Sequence, residues 1–172
     1  MVAEKILATP AWLDSNRLPE GTLCIEVTEE EIKRASFLRT PQGILGVFRQ
    51  PDNKPDFKAP CTRLCLALDN VQDPGNLGTI IRIADWFGIK NIICSHGTVD
   101  VYNAKTIQST MGALARVKVH YVELKDVLDT FRKQGYPIYG TFLDGASIYN
   151  AELAKYGIIV MGNEGNGISD EI

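Results

Sequence analysis

The sequence predicts an α/β fold, in which a parallel sheet carries helices on both faces. The first reason is a regular pattern between residues 64 and 161, where short apolar runs alternate with segments of helical periodicity. Such alternation is typical of parallel sheets that are covered on both sides. The second reason is that two polar segments with glycines, 69–78 and 162–169, each follow an apolar run directly. Because ligands bind beyond the carboxyl ends of parallel strands, these two segments predict one binding site.

The composition is that of an ordinary globular protein. The 172 residues are 45% hydrophobic and 23% charged, with a net charge of −3, which suffices for one core and a small appendage. No apolar stretch is long enough to span a membrane and the first residues carry no signal-peptide pattern, so we expect a soluble, cytoplasmic protein without a membrane partner. Four cysteines lie mostly in apolar runs, and only two histidines accompany them. This set is too poor for a zinc site, so we expect reduced thiols and no metal.

The elements before residue 50 predict part of a small α/β module. The expected elements are a strand over 22–27, a helix over 28–37, a turn at 40–43 and a strand over 44–48. Thr28 is the expected N-cap of the helix, and Glu31 completes a capping box. This part has too little apolar sequence for a core of its own. We therefore interpret 1–50 as a fragment of a substrate-binding domain whose beginning is missing.

A proline-rich stretch separates this module from the rest of the chain. Residues 51–60 hold three prolines and no apolar periodicity, which is typical of an extended linker. The main domain is expected over 61–172. Its expected strands are 64–68, 91–94, 117–122, 138–142 and 158–161, and its expected helices are 77–87, 104–114, 124–134 and 151–155.

The first polar segment predicts a tight turn that leads into a helix. Asn76 is its expected N-cap, and Gly78 allows another backbone to approach the first turn. Because helical side chains lean toward the N-terminus, Arg82 is expected to point back over the turn, at the carboxyl edge of the sheet. An arginine at such a position is otherwise an ordinary surface residue, and helix geometry alone leaves both interpretations open.

The second polar segment has glycines at 162, 165 and 167, with Glu164 as its only charge. This spacing differs from the Gly-x-Gly-x-x-Gly fingerprint of dinucleotide sites, which argues against NAD. Three glycines instead allow backbone amides and carbonyls to surround a flat ligand, and Glu164 is suited to hold a hydroxyl or an amine.

The cations are concentrated in one part of the chain. Between residues 32 and 63 there are seven cations and two acids, a local charge of +5, although the whole chain is slightly acidic. The cations are Lys33, Arg34, Arg39, Arg49, Lys54, Lys58 and Arg63. Such a segment suits a polyanion, because binding phosphates releases counterions. The alternative is a basic, solvated surface without a ligand.

Both polar segments resemble signature motifs of the SpoU family of RNA ribose 2′-O-methyltransferases. The first motif reads Asn70-x3-Pro74-x-Asn76-x-Gly78-x3-Arg82-x-Ala84-x2-Phe87-Gly88, and the second reads Met161-Gly162-Asn163-Glu164-Gly165-x-Gly167-Ile168-Ser169. Residues 109–114 are similar to a serine, glycine and alanine segment that the family carries between them. The resemblance covers 63–172. Residues 40–44 also resemble the end of the ribosomal-protein-like RNA-binding domain that often precedes the catalytic domain.

The resemblance implies methyl transfer from S-adenosylmethionine to a ribose 2′-hydroxyl of tRNA or rRNA, by a homodimer. By resemblance, the family's arginine, a proposed general base, falls on Arg82. Because a guanidinium is too basic to deprotonate readily, we expect Arg82 instead to be a fixed cation that stabilises the developing alkoxide and holds the phosphate. The resemblance also implies that Asn76 orients Arg82 or the ribose, and that Glu164 fixes the loop or contacts the substrate. The residues that it implies for cofactor binding are Thr141, Phe142, Leu143, Gly162, Asn163 and Gly165. The cations expected to contact RNA are Lys33, Arg34, Arg39 and Arg49.

The family's third motif is expected after Ile172. By resemblance, that segment threads a C-terminal trefoil knot and completes the cofactor pocket and the dimer interface, so we expect this sequence to lack residues at both ends. One alternative function is a catalytically inactive RNA-binding module of the same fold. Another is an α/β enzyme that binds a small nucleotide and is unrelated to RNA. An inactive module is expected to lose Asn76, Arg82 or Glu164, and all three are present.

Overall fold

The chain forms two compact units, Met1–Asp52 and Asn53–Ile172. The computed structural model describes residues 1–51, 54–55 and 57–172. The expected linker over 51–60 therefore includes three positions, 52, 53 and 56, that lie outside the described residues. Within the described part, no helix is both long enough and apolar enough to cross a membrane.

The first unit is a three-stranded sheet with two short helices. Its elements are β1 (Ala3–Ala8), α1 (Pro10–Ser15), β2 (Cys24–Glu26), α2 (Glu29–Ala35) and β3 (Ile44–Phe48). The strand order is β2-β1-β3, with β1 parallel to β2 and antiparallel to β3. The capping box of α2 is confirmed, because Glu31 N–H donates to Thr28 Oγ1 and Thr28 N–H donates to the Glu31 carboxylate. The sequence did not predict β1 or α1.

The second unit contains a five-stranded parallel sheet. Its elements are β4 (Leu64–Leu68), α3 (Pro74–Trp86), β5 (Asn91–Cys94), α4 (Ala104–Ser109), β6 (Lys118–Tyr121), α5 (Leu124–Lys133), β7 (Ile138–Gly140) and β8 (Gly157–Met161), with 3-10 turns at Ala59–Cys61, Ala113–Ala115 and Ile148–Asn150. The strand order is β6-β5-β4-β8-β7, and every pair is parallel. The predicted α/β fold is therefore confirmed.

Alternating residues of the central strand β4 face two separate cores. Leu66 and Leu68 pack in the core beneath α3 with Leu77 and Ile81, whereas Ala67 packs in the core beneath α5 with Phe131. This alternation is the two-residue period of a strand. Strands β5 and β6 follow β4 toward one edge, while β7 and β8 lie on its other side, so the strand order reverses at β4. In parallel sheets, ligands bind outside the carboxyl ends of the strands at such a reversal.

The start of α3 differs from the sequence expectation. The helix begins at Pro74 rather than at residue 77, and Asp73 is its N-cap. The Asp73 carboxylate accepts a hydrogen bond of 2.8 Å from Asn76 N–H. Proline suits the first helical position because its missing N–H needs no partner there. The expectation that Asn76 caps this helix is therefore wrong.

Two other predicted helices are also corrected. The helix expected over 104–114 ends at Ser109, because Met111 and Gly112 adopt left-handed conformations with φ of 50° and 85°. The helix expected over 151–155 is absent, and a 3-10 turn at Ile148–Asn150 precedes that position. There, Ala154 N–H donates to the Tyr139 hydroxyl at 2.9 Å, so a tertiary contact uses the backbone group that a helix would need.

Candidate active site

Two loops meet at the carboxyl edge of the sheet. The first loop, residues 69–76, follows β4 and enters α3, and the second loop, residues 162–169, follows β8. Because β4 and β8 are parallel neighbours, with Leu68 opposite Met161, both loops leave the sheet at the same edge. The predicted binding site thus consists of two segments that are distant in sequence and adjacent in space.

The second loop closes on itself. Asn163 and Gly167 exchange backbone hydrogen bonds of 2.8 and 2.9 Å, which leaves residues 164–166 at the tip. A Cβ on Gly162 would overlap the backbone of Gly167. Gly167 itself has a φ of 70°, in the left-handed region that favours glycine. These two glycines therefore allow the tight closure that presents Glu164 at the tip.

The side chain of Asn163 joins the second loop to the first. Its Nδ2 donates to the carbonyl oxygen of Asn70 at 2.8 Å, and its Oδ1 accepts from the backbone N–H groups of Gly165 and Asn166 at 2.9 and 3.1 Å. The backbone N–H and carbonyl of Asn163 are bonded to Gly167. All four polar groups of Asn163 are thus engaged within the protein.

A second connection between the loops starts from Asp69, whose residue surface is only 2% exposed. Asp69 Oδ2 accepts a hydrogen bond of 2.8 Å from Ser169 N–H, and Oδ1 accepts one of 3.2 Å from Asn70 Nδ2. Asn70 has a φ of 54°, and its backbone N–H donates to Ser95 Oγ at 2.9 Å. Asp69 is not among the site residues predicted from the sequence. The signal that could have revealed it is a carboxylate directly after the apolar run of β4, at the point where the strand order reverses.

The third connection joins two of the predicted catalytic residues. Asn76 Nδ2 donates to Glu164 Oε2 at 2.9 Å, across 88 positions of sequence. Both side chains are exposed, so a ligand can reach them. Arg82 lies on the exposed face of α3, and within the described part of the chain it makes no hydrogen bond or ion pair. The structure therefore brings Asn76 and Glu164 together, and within the described residues Arg82 is hydrogen-bonded to neither.

The start of α3 carries fixed charges. The pKa of Asp73 is lowered, mainly because its carboxylate accepts the backbone N–H of Asn76, and further because of the Lys105 ammonium. Lys105 Nζ lies 3.3 Å from Asp73 Oδ2. The cap of α3 therefore stays ionised at neutral pH, and Lys105 brings a cation to the beginning of this helix.

Two clefts contain five of the six predicted cofactor residues. The first cleft, with a volume of about 630 Å³, is lined by Gly162, Asn163 and Gly165 and also by Asn76 and Glu164. A second cleft of about 600 Å³ contains Thr141 and Phe142. Leu143 lines neither cleft and is fully exposed. Further side chains that line the second cleft are Leu64, Tyr139, Ile148, Leu153 and Ile159.

The four cations predicted to contact RNA belong to the first unit and are exposed. Lys33 and Arg34 lie in the last turn of α2, where they complement the helix dipole. Arg49 is paired with Glu4, at 2.9 Å from Nη2 to Oε1. No group of three His, Cys, Asp or Glu among the residues described here is arranged to hold a metal ion.

Comparison with known proteins identifies similar sequences and folds. Residues 63–172 match the profile of the SpoU rRNA Methylase family. The 23S rRNA (guanosine(2553)-2′-O)-methyltransferase of Bacillus subtilis is 33% identical over 160 residues, which cover 90% of this chain and 63% of that protein. The chain therefore spans less than two thirds of that relative.

Two solved structures are similar over nearly the whole chain. A TrmH-family protein from Porphyromonas gingivalis has a TM-score of 0.85 and 42% identity, covering 98% of this chain and 68% of the other. An AdoMet-bound rRNA methyltransferase from Sinorhizobium meliloti has a TM-score of 0.79 and 30% identity, covering 98% of this chain and 66% of the other.

Proposed function

Since the chain belongs to the SpoU rRNA Methylase family, we propose that it transfers a methyl group from S-adenosylmethionine to a ribose 2′-hydroxyl of RNA. The observation that carries this proposal is the hydrogen bond of 2.9 Å between Asn76 and Glu164. Each residue lies in one of the two motifs that resemble the family, and the bond joins those motifs at the carboxyl edge of the sheet. The names of the relatives support ribosomal RNA as the substrate class.

The residues that line the two clefts fit the proposed cofactor. S-adenosylmethionine would supply a methyl group on a positively charged sulfur: the sulfur would keep the electron pair of the broken S–C bond, the methyl carbon would bond to the 2′-oxygen, and the hydroxyl proton would leave to water. The second cleft has mainly apolar and aromatic side chains, including Phe142 and Tyr139, which suits a flat nucleoside base. We assign Thr141, Phe142, Gly162 and Gly165 to cofactor binding. Asn163 would act by shaping the second loop, and the exposed Leu143 would contribute through its backbone.

Arg82 is proposed to stabilise the negative charge that develops on the 2′-oxygen. A guanidinium remains protonated at neutral pH, so Arg82 serves as a fixed cation and not as a base. Arg82 is exposed and has no hydrogen-bond or ion-pair partner among the described residues, so its donors are available for the ribose oxygen or the adjacent phosphate. Catalytic groups are often poorly aligned before the substrate binds, so this role does not require a hydrogen bond from Arg82 to Asn76 or Glu164.

Asn76 and Glu164 are proposed to orient the ribose. The Asn76 amide has one N–H bonded to Glu164, and its side-chain oxygen is available to a substrate hydroxyl. The Glu164 carboxylate has remaining acceptor capacity and can accept a hydrogen bond from the same sugar. Holding the attacking oxygen in one orientation lowers the entropic part of the barrier.

The first unit is proposed to bind RNA through its exposed cations Lys33, Arg34 and Arg39, with Arg49 as a weaker contributor. We further propose a homodimer, a cytoplasmic location and the knot that the resemblance implies. Support for the dimer comes from the end of α3 and its C-cap, where the large apolar side chains Ile83, Trp86 and Phe87 are exposed by 51%, 86% and 74%. They lie three and four positions apart, which places them on one face, and exposed apolar patches mark interaction sites.

The test is methyl incorporation from labelled S-adenosylmethionine into unmodified ribosomal RNA, followed by mass-spectrometric mapping of 2′-O-methyl nucleotides. We expect one methylated ribose position. Cofactor binding by titration calorimetry is measured in parallel. Incorporation into a base instead of a ribose, or no cofactor binding by the protein, would overturn the proposal. Binding of both RNA and cofactor without transfer would identify an inactive module of the same fold.

A further inference from the structure

We infer that Asp69 is a positioning residue, whose carboxylate sets the distance between the two loops and thereby the alignment of Glu164 with Asn76. This inference deepens the proposed function and rests on it. Asp69 does not face the clefts described above. Its role would be exerted through the hydrogen bonds that its two oxygens accept.

Asp69 is a buried carboxylate that has no cationic partner among the described residues. Only 2% of the residue surface is exposed. Removing a charged carboxylate from water is costly unless hydrogen bonds compensate. Here both oxygens accept N–H groups, from Ser169 and from Asn70. An apolar side chain after β4 would pack against the core without that cost. Packing alone therefore does not explain why a carboxylate occupies this position.

Hydrogen bonds from Asp69 and Asn70 reach opposite ends of the second loop. Ser169 is the last residue of the second loop, and Asn163, near the loop's beginning, donates to Asn70 in the first loop. Asp69 and Asn70 therefore hold both ends of the second loop. Because the loop is also closed internally by the Asn163 and Gly167 backbone bonds, fixing its ends fixes its tip. Glu164 is at that tip.

Asp69 is held more firmly in the protein than Asn76 and Glu164, the two residues that it would align. Its backbone N–H donates to the Met161 carbonyl at 2.9 Å, so Asp69 is part of the sheet edge. Asn76 and Glu164 are exposed, and water competes for the hydrogen bond between them. A hydrogen bond between exposed groups contributes little by itself. The buried connection at Asp69 therefore supplies the geometric constraint that the exposed pair lacks.

The inference is tested by measuring single-turnover methyl transfer to RNA. Asp69→Ala removes both acceptors, and we expect its rate to fall at least about tenfold, with the KM for RNA within about threefold of the parent, because a loosened loop misaligns reacting groups. Asp69→Asn keeps an oxygen for Ser169 N–H, and the neighbouring Asn70 amide can turn to accept the new NH2 group. We expect this conservative variant to recover most of the lost rate. Asp129→Asn is the matched control, since it alters a carboxylate on α5 that accepts a hydrogen bond from Lys125 Nζ and belongs to neither loop.

A double-mutant cycle separates positioning from general stability. If Asp69 acts by aligning Glu164, then Asp69→Ala should lower the rate by less than about threefold in a Glu164→Ala background, because coupled residues have non-additive effects. Equal losses in both backgrounds would overturn the inference. So would an Asp69→Ala variant whose rate matches the parent.

Amide exchange of the unaltered protein keeps the inference testable if Asp69→Ala fails to fold. We expect the Ser169 N–H to exchange at least about tenfold more slowly than that of the exposed Asp170. Equal exchange rates would overturn the inference. A parent protein that transfers no methyl group would overturn the proposed function and the inference with it, whereas a methylating parent with additive cycles would overturn only the role of Asp69.

Discussion

The loops of the second unit and the cationic surface of the first unit present their polar groups in opposite ways. In the loops, the side chains of Asp69, Asn163 and Glu164 each hydrogen-bond to another segment of the chain. On the first unit, Lys33 and Arg39 are exposed and make no hydrogen bond or ion pair within the described residues. The difference matches two tasks. Methyl transfer needs side chains that are held in one position, whereas binding of a polyanion needs only charged side chains that are free to move toward its phosphates.

Arg82 is the exception in this comparison, and replacing it should have the largest effect. It belongs to the first of the two motifs, but, like Lys33 and Arg39, it is exposed and makes no hydrogen bond or ion pair within the described residues. We expect Arg82→Ala to raise the activation free energy of methyl transfer by about 3 kcal/mol or more, with little change in cofactor affinity, because a fixed cation at the developing charge is lost. Single-turnover rates and cofactor titrations measure both quantities.

Arg63→Ala is the control for this variant. Arg63 is also an exposed arginine of the second unit, but it precedes β4 at the amino end of the strand. Its replacement should leave the rate near that of the parent. If the methyl-transfer rate of Arg82→Ala matched that of Arg63→Ala, Arg82 would be an ordinary surface cation without a role in the reaction.

Gly162→Ala tests whether the closed second loop is required for the fixed geometry. A Cβ at this position would overlap the Gly167 backbone, which cannot move without opening the loop. We expect a loss of about 1–3 kcal/mol in unfolding free energy and weaker cofactor binding. Gly165→Ala is the control for stability, because its Cβ would meet only Asn163 Oδ1 at 3.6 Å, an ordinary contact. Denaturant unfolding of both variants measures the difference, and equal stability would contradict the proposed closure.

The sequence predicted the sheet better than it predicted the site. The bounds of β4 and β5 were predicted correctly, because continuous apolar runs between polar turns leave little choice for buried strands. Strand β1 was missed, since its outer residues are exposed and its pairing with β2 and β3 determines it. The resemblance to the family motifs identified Asn76 and Glu164, but it did not predict the hydrogen bond between them. That bond depends on the pairing of β4 with β8, which places the two loops side by side.

Asp69 and Asp73 show which part of the site the sequence could not supply. Both are acids beside motif residues, and their roles follow from which N–H groups lie within reach in three dimensions. Asn76 was the expected cap because its residue type is suitable, but Asp73 lies three positions earlier and precedes a proline. Local propensity therefore identified the right segment and the wrong residue.

The surface cations should give an intermediate effect that depends on salt. We expect replacement of Lys33, Arg34 and Arg39 by alanine to weaken RNA binding and to reduce the slope of log K against log salt by about one per lost phosphate contact. Arg49→Ala should have less effect than any of these three, because its guanidinium already pairs with Glu4. Binding titrations at several salt concentrations measure the slopes. Cofactor affinity should be unchanged. If the slope of log K for RNA binding against log salt were also unchanged, these cations would form only a solvated surface.

Thr28→Ala should have the smallest effect, and one confined to the first unit. It removes the hydroxyl that accepts Glu31 N–H at the start of α2, so we expect a loss of about 1 kcal/mol in unfolding free energy. The Thr28 backbone N–H and, to a smaller extent, its hydroxyl donate to the Glu31 carboxylate and lower its pKa. The ionised Glu31 therefore stabilises the parent above the usual titration range of a glutamate, and this contribution is lost as the pH falls through the lowered pKa; Thr28→Ala removes only the part that comes from the hydroxyl.

The difference in stability between the parent and Thr28→Ala should therefore narrow in acid, and urea unfolding from neutral to acidic pH measures it. Thr130→Ala is a suitable control, since Thr130 Oγ1 donates to the Asp126 carbonyl within α5 and borders no carboxylate cap. Methyl transfer by folded Thr28→Ala should proceed at the parental rate, because the fixed geometry of the loops is built entirely within the second unit. A fall in that rate without a fall in RNA affinity would mean that the first unit also affects the geometry of the reaction. The proposed separation of roles, with RNA binding in the first unit and alignment of the reacting groups in the second, would then be wrong.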